Sequence, residues 1–167
     1  MIDYKKHIEE YKDFPIKGIN YLDLNPLYQD NWTRNILVRD CINVVKKLPE
    51  FEYIGVVESR GYIIGSILAN EFNKGLVMLR SKPNRLPGKT SIVKHKLEYG
   101  ESQMEVQHGT GKVLIVDDVL DSGGTAKGAI EVLSKAGYTP TSALFLVELD
   151  FLNAKLDVPH RSVIHYE

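Results

Sequence analysis

Residues 113–125 (VLIVDDVLDSGGT) constrain the fold of this 167-residue chain more than any other segment. The four apolar residues 113–116 predict a strand that is buried on both faces, as in a parallel sheet. The strand runs into Asp117 and Asp118, two adjacent carboxylates whose burial is costly unless they are partnered. A glycine-containing turn follows and leads into a helical pattern at residues 124–136. Strand, polar turn and helix in this order indicate the ligand-binding edge of an α/β sheet.

Short apolar runs alternate with helical patterns along much of the remaining chain. Further strands are predicted at residues 53–57, 76–80, 142–148 and 162–165, and further helices at residues 61–72, at residues 32–48 with Asn31 as N-cap, and at residues 3–11. Residues 13–25 are rich in turn-forming residues. The alternation predicts a single α/β domain over residues 1–167, with a central parallel sheet flanked by helices.

Residues 81–111 break this alternation. The segment is basic at first and acidic later, and its apolar residues alternate only weakly. We expect a flexible β-hairpin here, because a long excursion within a compact domain often serves as a functional lid.

Composition limits the classes of function. The net charge is −1, so no general attraction to nucleic acid or to an anionic membrane is expected, and an anion site must be built locally. The single cysteine, Cys41, excludes an internal disulfide and a cysteine-rich zinc site, and the five histidines show no metal-ligand spacing. No signal-peptide core or membrane-length apolar run is present, so we expect a cytoplasmic protein.

The turn after Asp117 and Asp118 has the composition of a phosphate site. Glycines let the backbone approach an anion closely, and the N-terminus of a helix offers free N–H groups and partial positive charge. Ser122 and Thr125 add hydroxyl groups. The predicted ligand is a phosphate monoester whose ribose hydroxyls lie beside the two carboxylates.

A second polar turn, Glu58-Ser59-Arg60-Gly61, also follows a predicted strand and opens a helix. It is therefore expected at the same edge of the sheet. The planar guanidinium of Arg60 can bind two phosphate oxygens at once.

The segment at residues 113–125 resembles the sugar-diphosphate loop of type I phosphoribosyltransferases. Four further segments make the chain similar to the adenine phosphoribosyltransferase family: residues 13–19 (DFPIKGI), 58–62 (ESRGY), 86–88 (LPG) and 97–100 (LEYG). The resemblance implies the type I fold, with an N-terminal base-binding hood at residues 1–30 and a flexible lid at residues 81–111. It also implies a homodimer that transfers a 5-phosphoribosyl group from phosphoribosyl diphosphate to adenine, a purine-salvage reaction that gives AMP and diphosphate.

The same resemblance assigns roles to residues. It implies that phosphoribosyl diphosphate contacts Asp117, Asp118, Asp121, Ser122, Gly123, Gly124, Thr125, Ser59, Arg60, Gly61, Arg80, Lys82 and Arg85. The implied base-binding residues are Asn20, Tyr21, Leu22 and Leu120, and the implied catalytic residues are Glu98, Tyr99 and Asp118. Mg²⁺ is the implied cofactor, held mainly through the substrate and with no direct protein ligand.

Some positions depart from the family pattern and leave alternatives open. The usual arginine of the basic segment falls at Ser81, so Arg80, Lys82 and Arg85 remain candidates for the residue that clamps the diphosphate. Asn20, Leu22 and Asp121 also differ from the common residues. A second interpretation is therefore the same reaction with hypoxanthine, guanine or xanthine. A third is a non-catalytic phosphoribosyl diphosphate sensor, which the lack of a helix-turn-helix segment disfavours.

Overall fold

A computed structural model describes residues 2–97 and 100–167 of the chain. The chain divides into two compact units, residues 1–40 and residues 41–167. Within the described residues, no helix combines the length and the apolar character needed to cross a membrane.

The first unit contains a two-stranded antiparallel sheet. A short 3-10 helix at Tyr4–His7 precedes strand β1 (Glu9–Lys12), which pairs with β2 (Asn20–Asp23), and helix α1 (Asn25–Gln29) follows. The prediction of a helix at residues 3–11 is therefore wrong, except that residues 4–7 form one 3-10 turn. Backbone pairing with β2 overrides the local pattern, because a helix of this length has a nucleation cost that its few internal hydrogen bonds do not offset.

Helix α2 (Asn31–Val45) begins one residue before the predicted start and passes the boundary between the units. The sequence suggested Asn31 as the N-cap of this helix, and this prediction is wrong. The Oδ2 atom of Asp30 accepts the backbone N–H of Thr33 at 2.7 Å, which is the geometry of a capping residue.

The second unit is built on a five-stranded parallel sheet with the order β4-β3-β7-β8-β9. Its strands and helices are β3 (Tyr53–Val57), α3 (Gly61–Phe72), β4 (Gly75–Leu79), β5 (Thr90–Leu97), β6 (Gly100–Gln107), β7 (Gly111–Leu120), α4 (Gly124–Ala136), β8 (Tyr138–Leu149) and β9 (His160–Tyr166). This confirms the predicted α/β class and parallel sheet.

Helices cover both faces of the sheet. On one face, Ile115 of β7 belongs to the same hydrophobic cluster as Leu133 of α4 and Phe145 of β8. On the other face, Gly65 of α3 lies so close to Val56 that an added Cβ would be 2.1 Å from its Cγ1 atom. Burial on both faces explains why the central strands are continuous apolar runs.

Strand β7 is longer than predicted. It pairs with β3 only as far as Val116, but it continues along β8 through Asp117 to Leu120. The sequence suggested that the strand ends at the carboxylates, because charged residues are rarely buried. In the structure both aspartates lie inside the strand and are buried.

The hairpin predicted within residues 81–111 is present as β5 and β6, which pair from Thr90 and Gln107 to Leu97 and Gly100. Its inner face packs on α4, because Val93 and Met104 share a hydrophobic cluster with Ala126 and Ala129. The base of the hairpin also joins the sheet edge through backbone hydrogen bonds between Arg80 and Glu105. Glu98 and Tyr99 lie outside the described residues.

Candidate active site

Arg60 and Asp118, predicted separately from two motifs, meet at the carboxyl edge of the sheet. The Nε atom of Arg60 lies 2.7 Å from Oδ2 of Asp118. Arg60 lies just before the first turn of α3, and Asp118 lies in the part of β7 that extends beyond β3. The turn that contains Arg60 therefore lies beside the strand that leads into the second turn.

Both aspartates resist ionisation. Burial, and then the charge of Asp118, raise the pKa of Asp117 well above its ordinary value. Burial also raises the pKa of Asp118, although the charge of Arg60 acts in the opposite direction. Because ionisation of these two groups is costly, a ligand that donates hydrogen bonds or carries positive charge here would stabilise their charged forms.

The loop after β7 has the geometry of an anion cradle. Gly123 has a φ angle of 86°, a left-handed conformation that favours glycine, and α4 begins at the next residue. The Asp121 Oδ1 atom accepts the backbone N–H of Gly123 at 3.1 Å and so fixes the turn. Thr125 lies in the first turn of α4, and Ser122 is exposed.

Gly61 allows α3 to begin in contact with β7. A Cβ atom at Gly61 would lie 2.7 Å from the carbonyl oxygen of Val116 and 3.0 Å from Oδ1 of Asp117. A larger residue would push the Arg60 turn away from the carboxylates. The preceding Glu58–Ser59 peptide is cis, and the carbonyl of Ser59 accepts the N–H of Tyr62 in the first turn of α3.

The basic segment after β4 is bound to Glu58. The carboxylate of Glu58 lies 3.2 Å from the Nη2 atom of Arg80 and 3.9 Å from that of Arg85. Its other oxygen accepts hydrogen bonds from the backbone and the hydroxyl of Ser81. Of the three predicted candidates, Arg80 and Arg85 therefore lie beside the same carboxylate, although Arg85 and Lys82 are both exposed.

A cavity of about 440 Å³ lies where the hairpin meets the phosphate loop. Ser122 and Gly124 of the loop line one part of it, and Lys94 and Lys96 of β5 and Lys127 of α4 line another. No ion pair engages these three lysines within the described residues. The cavity is therefore positively charged next to the loop, as a phosphate group requires.

The predicted base-binding segment forms strand β2 in the first unit. Tyr21 packs edge-on against Phe14, with ring centroids 5.2 Å apart, and both line a cavity of about 300 Å³ with Tyr11. The side chain of Leu22 is buried and that of Asn20 is exposed. Leu120 belongs to the second unit and lies in its hydrophobic core, so its base-binding role remains a prediction.

The sequence analysis assigned no role to Tyr11 or Phe14. Tyr11 faces Tyr21 across the β1–β2 pair, and the turn between the strands carries Phe14. Tyr11 and Phe14 are three positions apart, a spacing that suits a helix as well as a strand followed by a turn, so no local pattern marked them.

Three potential metal ligands also meet at the ends of β8 and β9. The ligand atoms of Glu148, Asp150 and His165 lie within 4.8 Å of one another. Glu148 accepts a hydrogen bond from Ser162 at 2.7 Å, and His165 lies 2.9 Å from Asp150. These bonds account for the arrangement, and we assign no metal to it.

The donors at Asp117 and Asp118 suit Mg²⁺, which prefers carboxylate oxygens and retains several non-protein ligands. Oδ2 of Asp118 is paired with Arg60, and Oδ1 of Asp117 accepts the N–H of Asp118 at 2.9 Å. The remaining carboxylate oxygens are too few for a protein cage. They fit a magnesium ion held largely by the oxygens of a bound substrate.

Comparison with known proteins agrees with this geometry. The family model described as "Phosphoribosyl transferase domain" matches residues 54–147. A curated adenine phosphoribosyltransferase of Mycoplasma mobile is 40% identical over 157 residues, which cover 92% of this chain and 90% of that protein.

Two solved structures are similar over nearly the whole chain. The adenine phosphoribosyltransferase of Thermoanaerobacter pseudethanolicus has a TM-score of 0.88 and 31% identity, covering 97% of both chains. The Saccharomyces cerevisiae enzyme, complexed with adenine and an imino-altritol bisphosphate, has a TM-score of 0.86 and 28% identity, covering 95% of both chains.

The parallel sheet with two polar, glycine-containing turns at one edge, together with the matched domain, defines a phosphoribosyltransferase, an enzyme of the transferase class. Within that class, the chain belongs to the adenine phosphoribosyltransferase family. The resemblance drawn from five sequence motifs is thereby confirmed.

Proposed function

We propose that this chain is a cytoplasmic purine-salvage enzyme that transfers 5-phosphoribosyl from phosphoribosyl diphosphate to adenine, giving AMP and diphosphate. The observation that carries the proposal is the pairing of Asp118 with Arg60 beside the loop at the N-terminus of α4. It places carboxylates for a ribose between two groups suited to bind phosphate. The names of the relatives support adenine as the base.

The charges of the site suit this reaction. As diphosphate departs, positive charge develops on the ribose carbon and ring oxygen, and Asp117 and Asp118 stabilise it while holding the ribose hydroxyls. The loop from Asp121 to Thr125, including Gly123, binds the 5-phosphate through backbone N–H groups. Arg60, with Ser59 and Gly61 shaping its turn, binds the leaving diphosphate.

Arg80 and Arg85 also bind the diphosphate, and Lys82 contributes only long-range charge. The support for the two arginines is their shared contact with Glu58. When bound with the substrate, Mg²⁺ supplies positive charge that neutralises the diphosphate oxygens.

Tyr21 stacks on the purine, with Phe14 buttressing its ring, and backbone groups of β2 recognise the edge of the base. The support is the aromatic cavity beside Tyr21, and the burial of Leu22 leaves recognition in this strand to the backbone. Glu98 transfers the purine proton and Tyr99 aligns the reactants, as the family resemblance implies.

The active form is a homodimer. Leu76 and Met78 point away from the buried residues Val77 and Leu79 of the same edge strand, and both are exposed. An exposed apolar strand face is typical of a surface that another chain covers. Light scattering should give twice the chain mass, and Met78→Asp should lower it toward one chain.

Steady-state rates with adenine, hypoxanthine, guanine and xanthine test the choice of base. Each is measured with phosphoribosyl diphosphate and Mg²⁺, and diphosphate release is the readout. We expect adenine to be the fastest substrate. If another purine is faster, the departures at Asn20, Leu22 and Asp121 have changed the specificity, and if no purine releases diphosphate the chain is a sensor.

A further inference from the structure

The carboxylate of Glu58 directly follows β3, and its contacts come from the segment after β4. Its side chain is only 17% exposed. Its backbone N–H donates to the carbonyl of Leu79 at 2.9 Å, which fixes the residue against the end of β4. Glu58 therefore links the turn that contains Arg60 to the basic segment at residues 80–85.

The two oxygens of Glu58 have different partners. Oε2 accepts the backbone N–H of Ser81 at 2.8 Å and its hydroxyl at 3.1 Å. Oε1 faces the guanidinium groups of Arg80 and Arg85. Because Ser81 holds one oxygen with two hydrogen bonds, the other oxygen keeps a fixed direction toward the arginines.

Glu58 remains charged at neutral pH. Burial opposes its ionisation, but the hydrogen bonds from Ser81 and the charges of Arg80 and Arg85 lower its pKa overall. The negative charge offsets the repulsion between two guanidinium groups that converge on one point.

A second carboxylate fixes the other end of the basic segment. Glu105 of β6 is buried, and its Oε2 atom accepts the backbone N–H of Arg85 at 2.7 Å. Its backbone also exchanges two hydrogen bonds of 2.9 Å with Arg80. With its backbone held at both ends, the segment presents the arginines in one arrangement before any ligand binds, which lowers the entropy cost of binding.

We propose that Glu58 is a positioning residue for the diphosphate. Ser81 fixes the carboxylate of Glu58, and this carboxylate holds Arg80 and Arg85 as a pair. The two arginines then supply the positive charge that the family places at position 81. The inference rests on the proposed role of these arginines in diphosphate binding. It gives the replacement of that arginine by Ser81 a structural purpose, since the serine fixes the carboxylate that orients its neighbours.

Glu58→Gln tests the inference, with Glu52→Gln as the matched control. Glu52 precedes the other end of β3, and its Oε2 atom also accepts a backbone N–H at 2.8 Å, from Lys112. We expect Glu58→Gln to raise the KM for phosphoribosyl diphosphate by about tenfold, the effect of losing one charged hydrogen-bond partner. The kcat and the KM for adenine should change by less than about twofold, and Glu52→Gln should match the wild type.

Arg80→Ala/Arg85→Ala separates this inference from the proposed function. If the double variant leaves the KM for phosphoribosyl diphosphate unchanged, the assignment of the arginines to diphosphate is wrong. Suppose instead that the double variant raises that KM. The positioning role is then wrong if Glu58→Gln has the same KM as Glu52→Gln, or if Glu58→Gln has a lower KM than the wild type. Adding Glu58→Gln to the double variant should have little further effect, because Glu58 acts through the arginines.

Ser81→Ala provides a test even if Glu58→Gln fails to fold. It removes only the hydroxyl bond to Oε2 and keeps the backbone bond. We expect the KM for phosphoribosyl diphosphate to rise by about threefold, with an unchanged melting temperature. An unchanged KM in a folded Ser81→Ala variant would overturn the proposal.

Discussion

The imidazole ring of His95 packs directly against Gly128. A Cβ atom at Gly128 would lie 2.7 Å from Cγ and 2.8 Å from Nδ1 of His95. His95 belongs to β5 and Gly128 to α4, so this contact joins the hairpin to the helix that follows the phosphate loop. The missing side chain of Gly128 lets the hairpin lie flat on the helix.

Gly128→Ala should loosen the hairpin. In an exposed helix this change stabilises by about 1 kcal/mol, because glycine is a poor helix former. Here the added methyl group collides with His95, and we expect a net loss of about 1–3 kcal/mol in the free energy of unfolding. Denaturant unfolding gives the sign, and hydrogen exchange should be faster in β5. A more stable variant would show that the hairpin does not need this contact.

The contact at His95 should weaken in acid. Burial lowers the pKa of His95, although the charge of Glu131 acts in the opposite direction. A lowered pKa means that the folded state prefers the neutral ring. The stabilisation is therefore complete above the ordinary pKa of about 6.5 and is lost as the pH falls through the lowered value.

Melting temperatures between pH 5 and pH 8 check this sign in the wild type and in His95→Gln, which cannot titrate. The wild type should lose more stability than the variant as the pH falls. Parallel curves would remove His95 from the acid response. The other charged residues of the same cavity are unchanged in the variant, so their contributions cancel in the comparison; they are Lys94, Lys96, Lys127 and Glu131.

Asp117→Asn should stabilise the protein while lowering its activity. The raised pKa of Asp117 means that its ionisation costs folding free energy, and asparagine keeps the oxygen that accepts the N–H of Asp118. We expect a gain of about 1 kcal/mol at pH 7 and a loss of activity of about a hundredfold. The gain should shrink toward pH 4, where the carboxyl group of the unfolded wild type binds a proton as well, so that ionisation no longer opposes folding.

Asp118→Asn is the contrasting variant. Asp118 is paired with Arg60, so removal of its charge leaves a guanidinium without its carboxylate. We expect it to be less stable than Asp117→Asn at pH 7. Equal gains from both substitutions would contradict the stabilising role of the Arg60 pair.

Glu98→Gln should lower kcat more than it raises the KM for phosphoribosyl diphosphate. The reason is that the family resemblance assigns Glu98 to proton transfer and not to sugar binding. Glu101→Gln is the control, since Glu101 is an exposed residue of β6 with no assigned role. An unchanged kcat in Glu98→Gln would remove this residue from the chemistry.

The sequence predicted the parallel sheet and the sugar-diphosphate loop because both depend on local signals. A buried parallel strand is a continuous apolar run, and a phosphate loop is a short pattern of glycines and hydroxyl groups. For Arg60 and Asp118, the sequence predicted only that both residues lie at the same edge of the sheet, and not that they form an ion pair. Its 2.7 Å distance depends on how far β7 extends beyond β3.

Other features depend on partners distant in sequence and were missed. The strand β1 exists because residues 20–23 pair with it, and no local pattern at residues 3–11 reports that pairing. From the sequence, Ser81 was only a position where the family's arginine is absent. Its hydrogen bond to Glu58 joins residues 23 positions apart, so no local pattern predicted it. Asp30, and not Asn31, caps helix α2. The sequence could not decide between them, because both side chains suit a capping position and the choice depends on the local backbone conformation.

The extension of β7 beyond β3 gives the sheet edge a step. Four residues, 117–120, continue after the pairing with β3 stops, and a strand rises about 3.3 Å per residue, so the step is about 13 Å high. Arg60 lies near its foot and the loop at Gly123 lies at its top. Gly61 lies against Val116 and Asp117 at the foot of this step. The edge of the sheet therefore presents polar groups at two separate levels, one at Arg60 and one at the Gly123 loop.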